Sequence, residues 1–100
     1  MWPRSPYNLR AVVEADGFHQ TITGLVPQLT PEQIDDRILH PNSWALAREH
    51  SFSKYPVVAI LQSRGPLYAH KLPATPKLRA IVIYFTVSPD DETVTLHDAH

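Results

Sequence analysis

The sequence of 100 residues has no cysteine and only three glycines. Without cysteine there is no disulfide framework, no thiolate zinc site and no cysteine nucleophile, and a reducing compartment is tolerated, so we expect a cytoplasmic protein. The glycines are isolated, which excludes a glycine-rich loop that cradles phosphate. No apolar run approaches the about 20 residues of a membrane span, so we expect no membrane segment and no secretory signal.

The composition is typical of one small folded domain. Apolar residues make up 43% of the chain and charged residues 19%, with a formal net charge of −1. This apolar share is too high for a disordered chain. A chain of this length buries roughly two-thirds of the surface that its unfolded form exposes, which suffices for one thin core of two layers. We expect a single domain over residues 1–100.

Acidic residues are absent from a long stretch of the second half. Between His50 and Pro89 there is no aspartate or glutamate. The cations of this stretch give it a charge of +5 and are Lys54, Arg64, Lys71, Lys77 and Arg79. Such a segment suits a phosphate-bearing or acidic partner. The alternative is an ordinary solvated surface of strands and loops.

The first half of the chain carries turn and helix signals. The Asp-Gly dipeptide at 16–17 predicts a β-hairpin, with a helix over about 9–15 as the alternative. Thr30 is followed by proline, glutamate and glutamine, a pattern typical of a capped helix start. We expect this helix to stop before Pro41, and the Asn-Ser pair at 42–43 to cap a second helix.

The second half has the pattern of strands. Runs rich in β-branched residues at 57–61, 78–87 and 93–98, and a mixed run at 67–72, are separated by turn residues. The run 78–87 is apolar on both faces, as a central strand is. The predicted fold class is therefore α+β, a small antiparallel sheet of three to five strands with one or two helices packed on one face.

Burial decides the register of the last hairpin. With a four-residue loop at 89–92, Val87 lies opposite Val94 and Phe85 opposite Leu96. The predicted apolar face then consists of Ile81, Ile83, Phe85, Val87, Val94 and Leu96. The helices should cover this face.

The opposite face of these strands is predicted to be polar and aromatic. In the same register Tyr84 lies directly across from His97. Lys71 and His70 would converge on them if the strand at 67–72 pairs with the strand at 78–87. On a regular strand, His97 and His100 would lie on opposite faces.

Three segments near the end resemble the closing strands of small RelE/ParE-type toxins. Their sequences are LYAHKL at 67–72, LRAIVIY at 78–84 and TVTLHDAH at 93–100. In that family a strand with an Arg-x-x-x-Tyr-like run is followed by an acidic turn and a strand that closes on histidine. The resemblance covers roughly residues 67–100. It implies a small antiparallel sheet with helices on one face, cleavage of ribosome-bound messenger RNA, and control by an antitoxin protein.

The resemblance also implies roles for individual residues. Arg79 falls where the family has a phosphate-contacting arginine, Tyr84 lies near the end of the same strand, and His97 or His100 falls where a C-terminal histidine or tyrosine acts. The candidate catalytic residues are His97, Tyr84 and Arg79. The candidate RNA- and phosphate-binding residues are Lys71, Arg64, His70 and Lys77.

This set of side chains fits RNA cleavage without a metal. The reaction needs a base for the 2′-hydroxyl, an acid for the leaving oxygen and a cation on the phosphate. Histidine suits the first two roles near neutral pH, and arginine binds phosphate through two parallel hydrogen bonds. The histidines lack the spacing of metal ligands, so we predict no metal and no other cofactor.

Two functions of different classes follow. The first is a toxin-like ribonuclease of a bacterial toxin–antitoxin system, with RNA or the ribosome and an antitoxin as partners. The second is a non-catalytic protein-interaction module of similar fold, an immunity-like or phage-encoded small protein whose cationic segment binds an acidic partner. The closing strands favour the first function, and the slightly negative net charge favours the second.

Overall fold

A computed structural model describes residues 10–48, 52, 54–62, 65–90 and 92–100. The first strand is followed by helices, and four strands complete the chain. The first elements are β1 (Ala11–Glu14), α1 (Phe18–Leu25), α2 (Pro31–Ile34) and α3 (His40–Arg48). The later strands are β2 (Val57–Leu61), β3 (Gly65–Leu72), β4 (Ile81–Val87) and β5 (Thr93–Ala99).

The strands form a five-stranded sheet in the order β1-β5-β4-β3-β2. The last four strands are an antiparallel meander, and β1 pairs with β5 in parallel at one edge. β2 forms the other edge. The predicted α+β class, with a small and mostly antiparallel sheet, is confirmed.

One face of the sheet packs against the helices. Phe18 and Ile22 of α1 and Leu46 of α3 are fully buried in one cluster with Phe85 of β4. The predicted apolar face is confirmed, because five of its six residues are at most 2% exposed. The sixth, Val87, is partly buried against the same core.

The hairpin predicted at residues 16–17 is wrong, because this turn leads from β1 into α1. Gly17 has a φ of 85°, a left-handed conformation that favours glycine, and it stands immediately before the helix. Phe18 and Ile22 are four residues apart and both fully buried. The segment therefore buries one face with a helical period. The alternative helix over 9–15 is also wrong, since Ala11–Glu14 is a strand.

The helix predicted to start at Thr30 is confirmed. The backbone N–H of Gln33 donates to the Thr30 hydroxyl at 3.2 Å, and the backbone N–H of Thr30 donates to the Gln33 side-chain oxygen at 2.9 Å. Pro31 occupies the first helical position, where a missing N–H costs no hydrogen bond. The reciprocal pair satisfies two donors that the start of a helix otherwise leaves without a partner.

The prediction that this helix stops before Pro41 is wrong. A π-helical turn at Asp35–Leu39 follows α2, and the N–H of His40 donates to the carbonyl of Asp35, five residues earlier. In a regular α-helix the ring of Pro41 would clash with the carbonyl four residues before it. The wider π-helical turn comes directly before the proline, so the backbone hydrogen bond there joins residues five apart and not four. The Asn-Ser pair at 42–43 therefore lies inside α3 and does not cap it.

Replacing Thr30 by alanine removes one half of the capping pair. We expect Thr30→Ala to lower the free energy of unfolding by about 1 kcal/mol, as is usual for a lost N-cap. Thr23→Ala is the matched control, because the Thr23 hydroxyl donates only to the His19 carbonyl within α1 and helix interiors do not need that bond. Urea unfolding of both variants measures the difference. Equal losses in the two variants would contradict the role of the cap.

Candidate active site on the polar face of the sheet

The register of β4 and β5 decides which side chains share the face away from the core. Phe85 lies opposite Leu96, as predicted, and Val87 lies opposite Val94. Beyond Phe85 the register shifts, and Tyr84 lies opposite Asp98. The predicted pairing of Tyr84 with His97 is therefore wrong.

A β-bulge at His97 causes the shift, because β5 has one residue more than β4 at this point. In a regular strand the inward position after Leu96 would be Asp98, and burying a carboxylate without a partner is costly. The extra residue leaves Asp98 exposed and moves Ala99 inward, where it is 5% exposed and lies opposite Ile83. As a result of the bulge, Ala99 and not Asp98 points into the core.

The same bulge brings two imidazoles to one face. Nε2 of His97 lies 2.7 Å from the hydroxyl oxygen of Thr86, and Nδ1 of His100 lies 2.9 Å from the hydroxyl oxygen of Tyr84. Tyr84 and Thr86 are two residues apart on β4 and so share a face. The prediction that His97 and His100 lie on opposite faces is therefore wrong. The backbone of His100 also exchanges both hydrogen bonds with Val82, which holds His100 in the sheet.

Lys71 of β3 joins this surface from the neighbouring strand. It lies opposite Val82, two residues from Tyr84 on β4, and residues directly opposite one another share a face. Its side chain is exposed, as is that of His100. We use the term polar face for five residues: Lys71, Tyr84, Thr86, His97 and His100.

Hydrogen bonds and partial burial hold the side chains of the polar face in place. Thr86 is 5% exposed, so its hydroxyl bond to His97 is shielded from water. Tyr84 and His97 are half-buried. The Tyr84 and His100 rings lie 5.3 Å apart at an angle of 30°. Hydrogen bonds and ring contact therefore fix both imidazoles on β4.

His70 does not join the polar face, so its predicted convergence with Tyr84 and Lys71 is wrong. It lies opposite Ile83, a core residue of β4. Its Nε2 lies 2.9 Å from Oδ1 of Asn42 on α3. His70 thus belongs to the contact between the helices and the sheet.

The protonation of His70 is shifted by these surroundings. Burial, and in second place the charge of Lys54, lower the pKa of its imidazole below the ordinary value of 6.5. The ring of Tyr55 contacts the imidazole edge-on, with ring centres 5.5 Å apart. The fold therefore favours the neutral form of His70.

Two other predicted cations, Arg79 and Lys77, lie outside the polar face. Arg79 precedes β4, which begins at Ile81 and not at the predicted residue 78, and its Nε donates to the Ala80 carbonyl at 3.1 Å. Lys77 is exposed in the same connection. Arg64 lies outside the described residues. The contacts of the described residues bring neither Arg79 nor Lys77 to the two imidazoles.

A cleft of about 440 Å³ lies at the opposite end of the polar face from Lys71. Its polar lining includes two carboxylates and three hydroxyls, from Glu14, Asp16, Thr86, Ser88 and Thr95. Thr86 joins the cleft to His97. The surface therefore carries carboxylates at the cleft and at Asp98, which lies opposite Tyr84, and an ammonium group at Lys71.

No family model, curated protein or solved structure matches the chain. The resemblance to RelE/ParE-type toxins therefore stays a prediction. Within the described ranges, no group of three or more histidines and carboxylates is placed to hold a metal ion. In the same part of the chain, no helix is both long enough and apolar enough to cross a bilayer.

Two parts of this site have no clear signal in the sequence. Alternation places Thr86 on the same side of its strand as Tyr84, but nothing in the sequence shows that it holds His97. Glu14 and Asp16 reach the cleft only because β1 pairs with β5, a contact between distant parts of the chain. The sequence carries one signal that favours a bulge: in a regular strand, Asp98 would point into the core.

The lowered pKa of His70 predicts a pH-dependent stability. The unfolded chain takes up this proton near its ordinary pKa of about 6.5, whereas the native state takes it up only at lower pH. The contribution of neutral His70 to the free energy of unfolding is therefore present above about pH 6.5 and is lost as the pH drops below it. Between about pH 7.5 and about pH 5, we expect the wild type to lose more unfolding free energy than His70→Gln.

Urea unfolding at both pH values measures this difference. The glutamine of His70→Gln can still donate to Asn42, so the variant removes the titration and keeps a donor. His40→Gln removes an exposed histidine and is the matched control. A His70→Gln variant that loses as much stability as the wild type would contradict the prediction.

Proposed function

We propose that the protein is a metal-independent, toxin-type endoribonuclease that cleaves RNA on its polar face. The observation that carries the proposal is the bulge, which brings His97 and His100 to the same face as Tyr84 and Lys71. Two imidazoles, a phenol and an ammonium are the side chains that this chemistry uses. The resemblance of the closing strands to RelE/ParE-type toxins supports the same function.

The partners of the two imidazoles are neighbours on one face of β4. Tyr84 and Thr86, which hold the two rings, are two residues and so about 7 Å apart along the strand. An acid and a base must each come within about 2.6–3.2 Å of the oxygen that they serve. The proposed binding mode places the phosphate over β4, with one ring at each of its reacting oxygens.

The proposed reaction assigns one imidazole to each proton transfer. His97 removes the proton of the 2′-hydroxyl, and the 2′-oxygen attacks the phosphorus atom. The bond from phosphorus to the 5′-oxygen breaks, and His100 gives its proton to that oxygen. Tyr84 orients His100 through their hydrogen bond. The products are a 2′,3′-cyclic phosphate and a 5′-hydroxyl end.

The charges along the polar face orient the RNA. Lys71 lies beside Tyr84 and offsets the negative charge that grows on the phosphate. At the other end, the carboxylates of Glu14 and Asp16 suit a nucleobase, because carboxylate oxygens accept hydrogen bonds from exocyclic amino groups. Arg79 has no part in this proposal, since it precedes β4.

The resemblance further suggests the physiological setting. The proposed substrate is messenger RNA on the ribosome, and the proposed regulator is an antitoxin protein. Both partners would place the activity in the cytoplasm. The absence of cysteine agrees with a reducing compartment.

Substitution of either imidazole tests the reaction. We expect His97→Gln and His100→Gln each to lower the rate of RNA cleavage by about 100-fold or more, the usual effect of losing a general acid or base. The assay is cleavage of messenger RNA with and without ribosomes, together with growth arrest after induction in a bacterial host. Mapping of the RNA ends checks for the cyclic phosphate.

His40→Gln, on the helical layer, is the matched control and should keep full activity. Circular dichroism verifies that all three variants fold. Wild-type protein that leaves RNA intact under both conditions, and growth unaffected, would refute the proposal. An equal loss in His40→Gln would show that the effect does not come from the polar face.

A second candidate function, the non-catalytic interaction module, is favoured by a different observation. The edge strand β2 is apolar and exposed, and exposed apolar surface is typical of protein interfaces. In this case the protein would bind a partner and leave RNA intact. The cleavage assay separates the two functions.

A further inference from the structure

The cleft at the end of the polar face has the size and the lining of a small-molecule site. Its volume of about 440 Å³ lies within the range usual for ligand pockets. The side chains of Ala15, Val87 and Pro89 give it apolar walls. The carboxylates of Glu14 and Asp16 add hydrogen-bond acceptors. Apolar walls with a few polar groups suit a flat ring whose polar atoms lie at its edge.

Backbone hydrogen bonds fix the walls of the cleft to the sheet. The N–H of Ala15 donates to the carbonyl of Leu96 at 2.8 Å, which attaches the end of β1 and the following turn to β5. The N–H of Ser88 donates to the carbonyl of Thr93 at 2.8 Å, which closes the turn between β4 and β5. The cleft is therefore formed before a ligand binds.

Thr86 connects the cleft to His97. It lines the cleft, is 5% exposed, and its hydroxyl oxygen lies 2.7 Å from Nε2 of His97. His100 is held by Tyr84, two residues farther from the cleft along β4. A ring bound in the cleft thus lies on the His97 side of the polar face.

This position identifies the nucleotide, an assignment that rests on the proposed ribonuclease function. In that reaction His97 removes the proton of the 2′-hydroxyl, and His100 gives a proton to the leaving 5′-oxygen. The nucleotide that carries the 2′-hydroxyl therefore lies nearer the cleft. Its base, on the 5′ side of the cleaved bond, is the one that reaches the cleft.

The lining of the cleft disfavours a phosphate inside it. Among the described residues that line the cleft there is no lysine or arginine, and its two carboxylates repel an anion. The phosphate therefore lies beside the cleft, at the imidazoles and Lys71, and the cleft receives the uncharged base.

The carboxylates determine which base fits. An ionised carboxylate only accepts hydrogen bonds. Guanine presents two adjacent donors, N1–H and the N2 amino group, which match the two oxygens of a carboxylate. Adenine and cytosine present one amino group beside a ring nitrogen that accepts, and uracil presents one N–H between two carbonyl oxygens. A carboxylate therefore forms two parallel hydrogen bonds with guanine, and only one with the corresponding edge of the other bases.

We propose that the cleft binds guanine and that the protein cleaves RNA on the 3′ side of guanosine. The carboxylates of Glu14 and Asp16 accept the hydrogen bonds of N1–H and the N2 amino group. Val87 and Pro89, which line the cleft, contact the ring. Glu14 and Asp16 are then specificity-determining residues that take no part in the proton transfers.

Binding of mononucleotides to the full chain tests the guanine site without any cleavage. The probe is 3′-GMP, and the matched control is 3′-IMP, which lacks only the N2 amino group. We expect calorimetry to show that 3′-GMP binds at least about tenfold more tightly than 3′-IMP, 3′-AMP or 3′-UMP. Equal binding of 3′-GMP and 3′-IMP would overturn the proposal. Arginine amide that binds as tightly as 3′-GMP would assign the cleft to a guanidinium cation and would overturn it too.

Two matched double variants locate the carboxylates. Glu14→Gln with Asp16→Asn should weaken 3′-GMP binding by about tenfold or more, because each amide replaces an acceptor oxygen by a donor. Glu32→Gln with Asp36→Asn makes the same changes at exposed residues of the helical layer and should leave the affinity unchanged. Unchanged binding by the first double variant would overturn the assignment.

Nuclear magnetic resonance of the wild type locates the ligand without a variant. Addition of 3′-GMP should shift the amide signals of Ser88 and Thr95, which line the cleft. Shifts confined to the helices would overturn the proposal.

Cleavage of a short RNA separates this inference from the proposed function. The substrate carries one guanosine among uridines, and the matched substrate carries inosine at that position. We expect cleavage after guanosine to be at least about tenfold faster than after inosine. Equal cleavage after every nucleotide would agree with a ribonuclease and overturn the guanine preference. Selective binding of 3′-GMP without cleavage of either RNA would support the guanine site and refute the ribonuclease.

Discussion

Burial of one row of side chains on β4 is the interaction on which the rest of the structure depends. Ile83 and Phe85 of this central strand pack against Phe18 and Leu46 from the helices, and all four are at most 1% exposed. Each such side chain stabilises the fold by about 1.5–3 kcal/mol through burial. A slip of one residue would turn this row toward solvent. The polar side chains of the same strands must therefore lie on the other face, where the candidate site is found.

The arrangement of the site follows from the same constraint at the end of β5. After Leu96, regular alternation would carry Asp98 into the core, and the bulge at His97 places Ala99 there in its stead. As a result of this packing, both imidazoles share a face with Tyr84. The shared face of the two imidazoles and the inward position of Ala99 thus depend on one backbone irregularity.

The features that the sequence predicted correctly depend on interactions between residues near one another in the chain. The cap at Thr30 and the apolar row of β4 depend on neighbouring residues and on alternation, and both were predicted. An Asp-Gly turn such as the one at 16–17 can precede either a strand or a helix. Which of the two follows depends on which of the next residues are buried in the core. The helix continues through Pro41 because a π-helical turn precedes the proline. No residue type in the sequence predicts such a turn. The side taken by His70 depended on the register of β3 against β4 across a long connection, which alternation within β3 does not determine.

The alignment of β4 with β5 in solution is the most direct test of the central claim. Cross-strand nuclear Overhauser contacts measure it without any substitution. The account predicts that Tyr84 aligns with Asp98, that the methyl group of Ala99 contacts core side chains, and that the Tyr84 ring contacts the ring of His100. Alignment of Tyr84 with His97, with Asp98 turned toward the core, would contradict it, because the two imidazoles would then lie on opposite faces of the sheet.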